Sequence, residues 1–343
     1  MKHPPNAPRP EPDRSSDVSG GLLDADVLRA HSRQNHIHTL ALISAMAALL
    51  GMPVLLIWGI SGLIVVAVLI GLMFVAARQT PPEMVMRIYR ARRITEHSGA
   101  QLPSIMQVLS ERAGLSAVPS LYVIPSLTLN AFATGTRDRA AVAVTEGLLR
   151  KLSMKELAAV LAHEVSHINN NDLAVMSIAD ITSRLVQAMS YCAVVLLIAN
   201  ALSIIVDGEA TISWLAVVIL YFSPAVSSVL QLGLSRTREY DADLEAAQLI
   251  GNPAWLASAL LRLERYTGRF WEDFAFPIPG RRVPQPSLLR THPLTADRVA
   301  RLEALDVHSR VPPILIREEP FVSMVDAGLI AMRPRHRLLG IWY

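Results

Sequence analysis

The chain has a single cysteine, Cys192, and only 18% of its residues are charged. A lone thiol excludes an intrachain disulfide, so oxidative cross-linking plays no part in the fold. Cys192 lies within an apolar run, where cysteine behaves as a small packing residue. Soluble globular chains are about a quarter charged, and the shortfall here comes with 52% hydrophobic residues and a mean hydropathy of +0.35, a balance expected of a membrane protein. The net charge of +3 gives no support for nucleic-acid binding. Arginines clustered beside apolar runs are better explained by membrane orientation. No cleavable signal peptide is expected, because the first 34 residues are rich in Pro, Asp and Arg and the next apolar run is too long for a signal sequence. Residues 1–36 are expected to form a disordered cytoplasmic tail.

What the chain does have is long apolar runs. From Leu40 to Ala77 there is no charged residue. At 1.5 Å per residue this is about twice the length needed to cross a bilayer core, so it reads as two spans, residues 37–77 forming a first hairpin. Gly51-Met-Pro53 and Gly59-Ile-Ser-Gly62 are the candidate breakers, the second preferred. A second pair, Leu185–Val206 and Ile212–Leu232, is joined by Asp207-Gly-Glu-Ala-Thr211, which carries two acids and no Lys or Arg. Arg29, Arg33, Arg78, Arg87, Arg90, Arg92 and Arg93 flank the first pair, and Arg236 and Arg238 follow the second. The positive-inside rule then puts both termini in the cytoplasm.

Residues 78–184 and 233–305 are left as two halves of a folded unit outside the bilayer, with residues 306–343 as an extension of no clear role. Ser104–Gly114 has the pattern of an amphipathic helix ending at glycine. Leu121–Ile124, Ala131–Thr134 and Ala141–Thr145 are β-rich runs between turn formers. Helices are expected over about Arg236–Ile250, Pro253–Tyr266 and Pro293–Ala304, with a Pro-rich aromatic loop from Phe270 to Leu289.

The chemistry is concentrated in His163-Glu164-Val165-Ser166-His167, within an apolar helical run that begins at Ser153. Residues four apart lie one above the other on a helix, so both imidazoles can reach one zinc ion. Glu164, beside that face, can take a proton from water on the metal. A catalytic zinc site needs a third ligand and an open position. Glu239 and Asp243 share a helix face, and one can bind metal while the other orients an imidazole. An exposed acidic turn paired with Arg236 and Arg238 fits the same residues. Topology favours the site, because two crossings of the membrane between His167 and Glu239 return the chain to the same side.

His163–Asp172, Ser235–Asp243 and Asn130-Ala-Phe-Ala-Thr-Gly135 together resemble the HtpX family of membrane zinc proteases, related to the type I CAAX prenyl protease. The likeness covers about residues 38–305. It implies Glu239 as third zinc ligand and Asp243 as partner of a zinc-bound histidine. It also implies a substrate-binding strand at Asn130, Ala131 and Phe132, and an oxyanion-stabilising His292 with Arg298 ordering the site. Where the family often has Asn-Gly-Asp after the box, this chain has Asn170-Asn171-Asp172. Asparagine tolerates the left-handed conformation, so the turn can survive.

The expectation is a mainly α membrane protein with four transmembrane helices in two hairpins and an α+β zincin-type metalloprotease domain with a small β-sheet. It would hold one Zn²⁺ per chain and act as an endopeptidase on misfolded or damaged membrane proteins. It would sit in a bacterial inner membrane with its active site cytoplasmic. A CAAX-type processing protease and a non-catalytic adaptor of the same fold are the rivals. The partners are membrane protein or peptide substrates and the lipid bilayer, with no nucleic acid.

Overall fold

The computed structural model describes residues 25–95, 101–210, 212–272, 295–305, 312 and 314–316. The expected N-terminal tail (residues 1–24 of it), most of the Pro-rich loop, His292 and nearly all of the C-terminal extension lie outside the described residues.

Helix α1 (Ala25–Gln79) is the first apolar run. It is broken at Gly59, whose backbone (φ 64°, ψ −158°) is open to glycine alone. Ile43, Met46 and Leu50 before the break face Leu63, Ala67 and Ile70 after it across a cavity of about 220 Å³. A side chain on Gly51 would lie 3.2 Å from Leu63. The short helix α2 (Pro82–Ile88) and strand β1 (Arg92–Arg93) follow. Neither had a periodicity long enough to read. Helix α3 (Gln101–Arg112) stops before Gly114, which takes a left-handed φ of 65°, as the sequence suggested.

Strands β2 (Ser120–Ile124), β3 (Ala131–Thr136) and β4 (Arg139–Thr145) coincide with the three β-rich runs. The sheet order is β1-β2-β4-β3, with β2 and β4 parallel and the β3–β4 hairpin antiparallel. Strand β4 is central and almost wholly buried, while β3 is at the sheet edge. Helix α4 (Glu146–Lys151) leads to α5 (Met154–Asn169), which carries the His-Glu-x-x-His box. Val142, Val144, Leu148, Leu161 and Val165 share the core around it.

Helices α6 (Asp172–Asp207) and α7 (Trp214–Ile250) form the second apolar pair, and each is much longer than its span. Asn200, fully buried near the hairpin tip, accepts from the Ile212 N–H and donates to its carbonyl. Deeper in, Ser183 lies within hydrogen-bonding distance of Ser227 and Gln231 across the pair. Helices α8 (Pro253–Glu272) and α9 (Thr295–Glu303) follow among the described residues.

Among the described residues, three helical segments are long and apolar enough to cross a membrane: Ile37–Gln79, Asp172–Val206 and Trp214–Ile250. One expectation is corrected here. Arg236–Ile250 is not a separate helix after the membrane but the uninterrupted continuation of α7. No glycine or proline intervenes between Leu234 and Ile250 to stop it, and residues on both sides of the polar boundary are helix formers.

Candidate metal centre

The start of α5 is fixed by a capping box. Ser153 Oγ accepts from the Glu156 N–H, and Glu156 accepts from the Ser153 N–H. Glu156 also takes a hydrogen bond from Ser258 (2.6 Å) and an ion pair from Arg262 (2.9 Å), tying α8 to the same turn. The box lies two turns further on, so its place in the core is set by both ends of the helix. His163 and Glu164 are buried, 1% and 4% exposed.

Three donor atoms converge from α5 and α7. His163 Nε2 and His167 Nε2 are 3.1 Å apart, and Glu239 offers Oε2 at 3.2 Å from the first and Oε1 at 3.6 Å from the second. Behind each imidazole stands a carboxylate. His167 Nδ1 donates to Asp172 Oδ2 at 2.8 Å, and His163 Nδ1 lies 3.1 Å from Asp243 Oδ1. Each carboxylate is in turn held by an arginine. Arg298 donates to both oxygens of Asp243 at 2.6 Å and lies 3.4 Å from Glu239, and Arg238 is 3.0 Å from Asp172. All four of these carboxylate and guanidinium groups are buried.

These contacts decide what the site can hold. With Nδ1 of each ring facing a carboxylate, both Nε2 lone pairs point at one another and at Glu239. Three acceptors so close repel unless a cation lies among them. The electrostatics agree. Burial disfavours a charged His163, yet hydrogen bonds and charge from Asp243 and Glu239 outweigh it and push the imidazole up to about 10. In His167, too, burial is opposed by the hydrogen bond to Asp172, and the ring is held above its ordinary value. A proton is one cation that fits, and a metal ion is another. Ligands about 2.0–2.1 Å from a tetrahedral zinc lie about 3.3 Å from each other, close to the separations found here. Among the described residues, His163, His167 and Glu239 form a group able to hold a metal ion. A His₂Glu set with three protein ligands is one that hydrolytic zinc sites use, whereas structural zinc sites are closed by four.

The turn after the box positions the second relay. Asn171 takes the left-handed conformation (φ 58°, ψ 26°), so glycine is not required there, and α6 starts at once. Asn169 and Asn170 donate to the two oxygens of Glu245 on α7, at 2.6 and 2.7 Å. The box turn is therefore clamped to the helix that carries Glu239.

The sequence pattern that describes peptidase family M48 matches residues 96–306, which contain both halves of this site. The chain belongs to peptidase family M48. As a member of M48 it is a metallopeptidase, a hydrolase of peptide bonds, and its apolar helices make it a multi-pass membrane protein. It is 35% identical over 280 residues to the protein named Protease HtpX homolog of Desulfatibacillum aliphaticivorans, covering 78% of this chain and 89% of that one. Identity is 37% over 264 residues to the HtpX homolog of Kineococcus radiotolerans, covering 73% and 88%. The crystal structure of S. mikatae Ste24p matches 83% of this chain and 67% of its own at 21% identity, with a TM-score of 0.42. The M48 match and the HtpX relatives agree with the resemblance carried by the motifs.

Within this M48 site the structure brings together His163, His167, Glu239, Asp243 and Arg298, with Glu164 on the same turn as His163. Asn130 immediately precedes the edge strand, with Ala131 and Phe132 as its first residues. Asn130 is anchored there by its backbone, its N–H donating to Thr145 Oγ1 and its carbonyl accepting from the Thr145 N–H. His292 lies outside the described residues. Sequence reasoning missed Asp172, Arg238 and Glu245. The sequence suggests a membrane flank or a partner of an exposed acidic turn for Arg238, whereas it is a buried partner of Asp172. Asp172 is five residues beyond His167, off any helical face repeat, and only the left-handed Asn171 folds it back to the ring.

Proposed function

We propose that His163, His167 and Glu239 hold one zinc ion per chain and that Glu164 is the general base of an integral membrane endopeptidase. The observation that carries this is the convergence of two imidazole Nε2 atoms and a carboxylate at 3.1–3.6 Å. A zinc ion there would supply a Lewis acid for the scissile carbonyl and would acidify water. Glu164 takes the proton of the attacking water and returns it to the leaving amine. Asp243 and Asp172 keep Nδ1 protonated and Nε2 free, and Arg298 and Arg238 hold those carboxylates in place. His292, expected from the resemblance to stabilise the oxyanion, would complete the set.

Strand β3, the edge strand of the sheet among the described residues, supports capture of extended peptide by strand addition at Asn130, Ala131 and Phe132. Main-chain pairing of that kind reads little sequence, which suits degradation of misfolded or damaged membrane proteins, and the curated relatives named Protease HtpX favour this over the CAAX-type alternative. The glycine-only backbone at Gly59 and the facing of its two flanks support four crossings, with two hairpins at 37–77 and 185–232 and the protease unit divided between 78–184 and 233–305. The arginine flanks support cytoplasmic termini and a cytoplasm-facing site in a bacterial plasma membrane.

The test is casein degradation or self-cleavage by the purified protein in detergent, with and without chelator, for wild type and Glu164→Ala. Activity should vanish with chelator, and the variant should lose at least about a hundredfold. Equal activity in both proteins would sink the assignment.

A further inference from the structure

Helix α2 and strand β1 form a surface that the protease chemistry does not use. Only Thr80 and Pro81 separate the end of α1 at Gln79 from the start of α2 at Pro82. The three Cα-to-Cα steps from Gln79 to Pro82 reach at most about 11 Å, so α2 stays near the bilayer surface that α1 leaves. One face of α2 is spent on the sheet. Met86 packs with Tyr122, Ile124, Ala141 and Ala143, and a side chain on Gly135 of β3 would come within 2.8 Å of Pro82. Tyr89, just past the helix, puts its ring 5.2 Å from that of Phe132 on β3. The one acid of α2, Glu83, pairs with Arg139 on β4 at 2.9 Å.

The other face is apolar and basic together. Met84 and Ile88 are 56% and 72% exposed, and Arg87, Arg90, Arg92 and Arg93 beside them are exposed as well. The packed face is already filled, so rotation of α2 cannot bury Met84 and Ile88 in the core. Exposed apolar side chains followed closely in the chain by exposed arginines, and tethered to a membrane helix, match the interfacial zone of an anionic bilayer. Acyl chains take the first and headgroup phosphates the second.

We propose that the outer face of α2, with the arginines through β1, docks on the anionic lipid surface of the membrane that α1 crosses. The buried face of α2 braces β3 through Pro82 and Tyr89, so docking fixes the attitude of the sheet edge relative to the bilayer. The proposal does not depend on the metal assignment, and its test reads no catalysis.

In a Cys192→Ser background, Ile88→Cys is labelled with a polarity-sensitive fluorophore and the full chain is reconstituted in nanodiscs. One lipid composition is phosphatidylcholine alone, and the other includes phosphatidylglycerol. The control is Leu261→Cys, also an exposed apolar position, on α8. Helix α8 starts beyond Ile250, about 27 Å past the apolar end of α7 at 1.5 Å per residue. The label at 88 should emit blue-shifted and be quenched by lipid carrying a quencher on its acyl chain, more strongly with phosphatidylglycerol. The label at 261 should be unaffected. In the Arg87→Gln/Arg93→Gln variant the docked-to-undocked ratio should fall roughly fivefold per arginine removed. A water-like label at 88 in both lipids overturns the proposal. So does a shielded label that lipid does not quench, which would mean that protein covers the face, and so does docking of equal strength without anionic lipid.

Discussion

Asp172 offers the sharpest test of the relay behind the metal site. Its Oδ2 accepts the His167 Nδ1 proton at 2.8 Å, and its Oδ1 lies 3.0 Å from Arg238. Replacing it by Asn keeps the volume and an acceptor oxygen, but removes the charge that makes the imidazole a better donor to a cation and leaves Arg238 with a neutral partner. Loss of a carboxylate behind a ligating histidine weakens metal binding about ten- to a hundredfold, roughly 1.4–2.7 kcal/mol. Asp172→Ala should also unfold at lower temperature, because breaking a buried ion pair costs about 3–5 kcal/mol when one charge is left uncompensated. The assay is zinc competition against a chromophoric chelator, with cobalt substitution to read ligand geometry from visible absorption. Asp172→Asn should stay folded, weaken zinc by that factor and shift the cobalt spectrum. Arg238→Lys should restore most of the stability lost in Arg238→Ala without matching wild-type metal affinity. A folded Asp172→Asn protein that binds zinc within twofold of wild type, with an unchanged cobalt spectrum, refutes the reasoning.

Four other outcomes are expected. The metal-free protein carries its proton on His163 up to about pH 10, against an unfolded value near 6.5. That contribution to stability is full below about pH 6.5 and is lost as pH rises through about 10, so the melting temperature of the apo form should fall over this window while the zinc form holds. Zinc must displace the same proton, and its apparent affinity should rise about tenfold per pH unit below 10, which titration at stepped pH will measure. Gly59→Ala forces a side chain into a glycine-only backbone region at a cost of about 1–3 kcal/mol, visible as reduced thermal stability in detergent. If wild-type stability is kept, the break at Gly59 does not hold the hairpin. Finally, Glu209→Cys in the Cys192→Ser background should react with a membrane-impermeant maleimide added outside intact cells, and Ser258→Cys should not. The opposite pattern would invert the proposed sidedness.

Periodicity and composition carried much of the fold. A helix pattern that persists for tens of apolar residues admits few alternatives in water or lipid, so the long apolar helices were legible. So were the three short strands, whose β-branched runs are fenced by Pro, Ser, Asn and Gly. The local pieces of the site were legible as well, because spacing of four on a helix is a geometric statement in one dimension. Helix α2 and strand β1 were not, since segments of seven and two residues hold too little pattern to separate from a loop. The continuity of α7 was also missed. A change from apolar to polar residues looks like a boundary in sequence, yet it marks only a change of surroundings along one unbroken helix.

The sequence alone determined that α5 presents two imidazoles and a carboxylate, and that a second acidic pair four residues apart lies two crossings later. Tertiary structure decided what those groups are to one another. It brought Glu239 to 3.2 Å from His163 because α7 runs straight out of the membrane against α5. It folded Asp172 onto His167 through a single left-handed asparagine, and it buried Arg238 and Arg298 where their charge hold the carboxylates. Such relations depend on distances between segments far apart in the chain. No local periodicity encodes them, because they are fixed only when the core closes and each buried charge must find its partner.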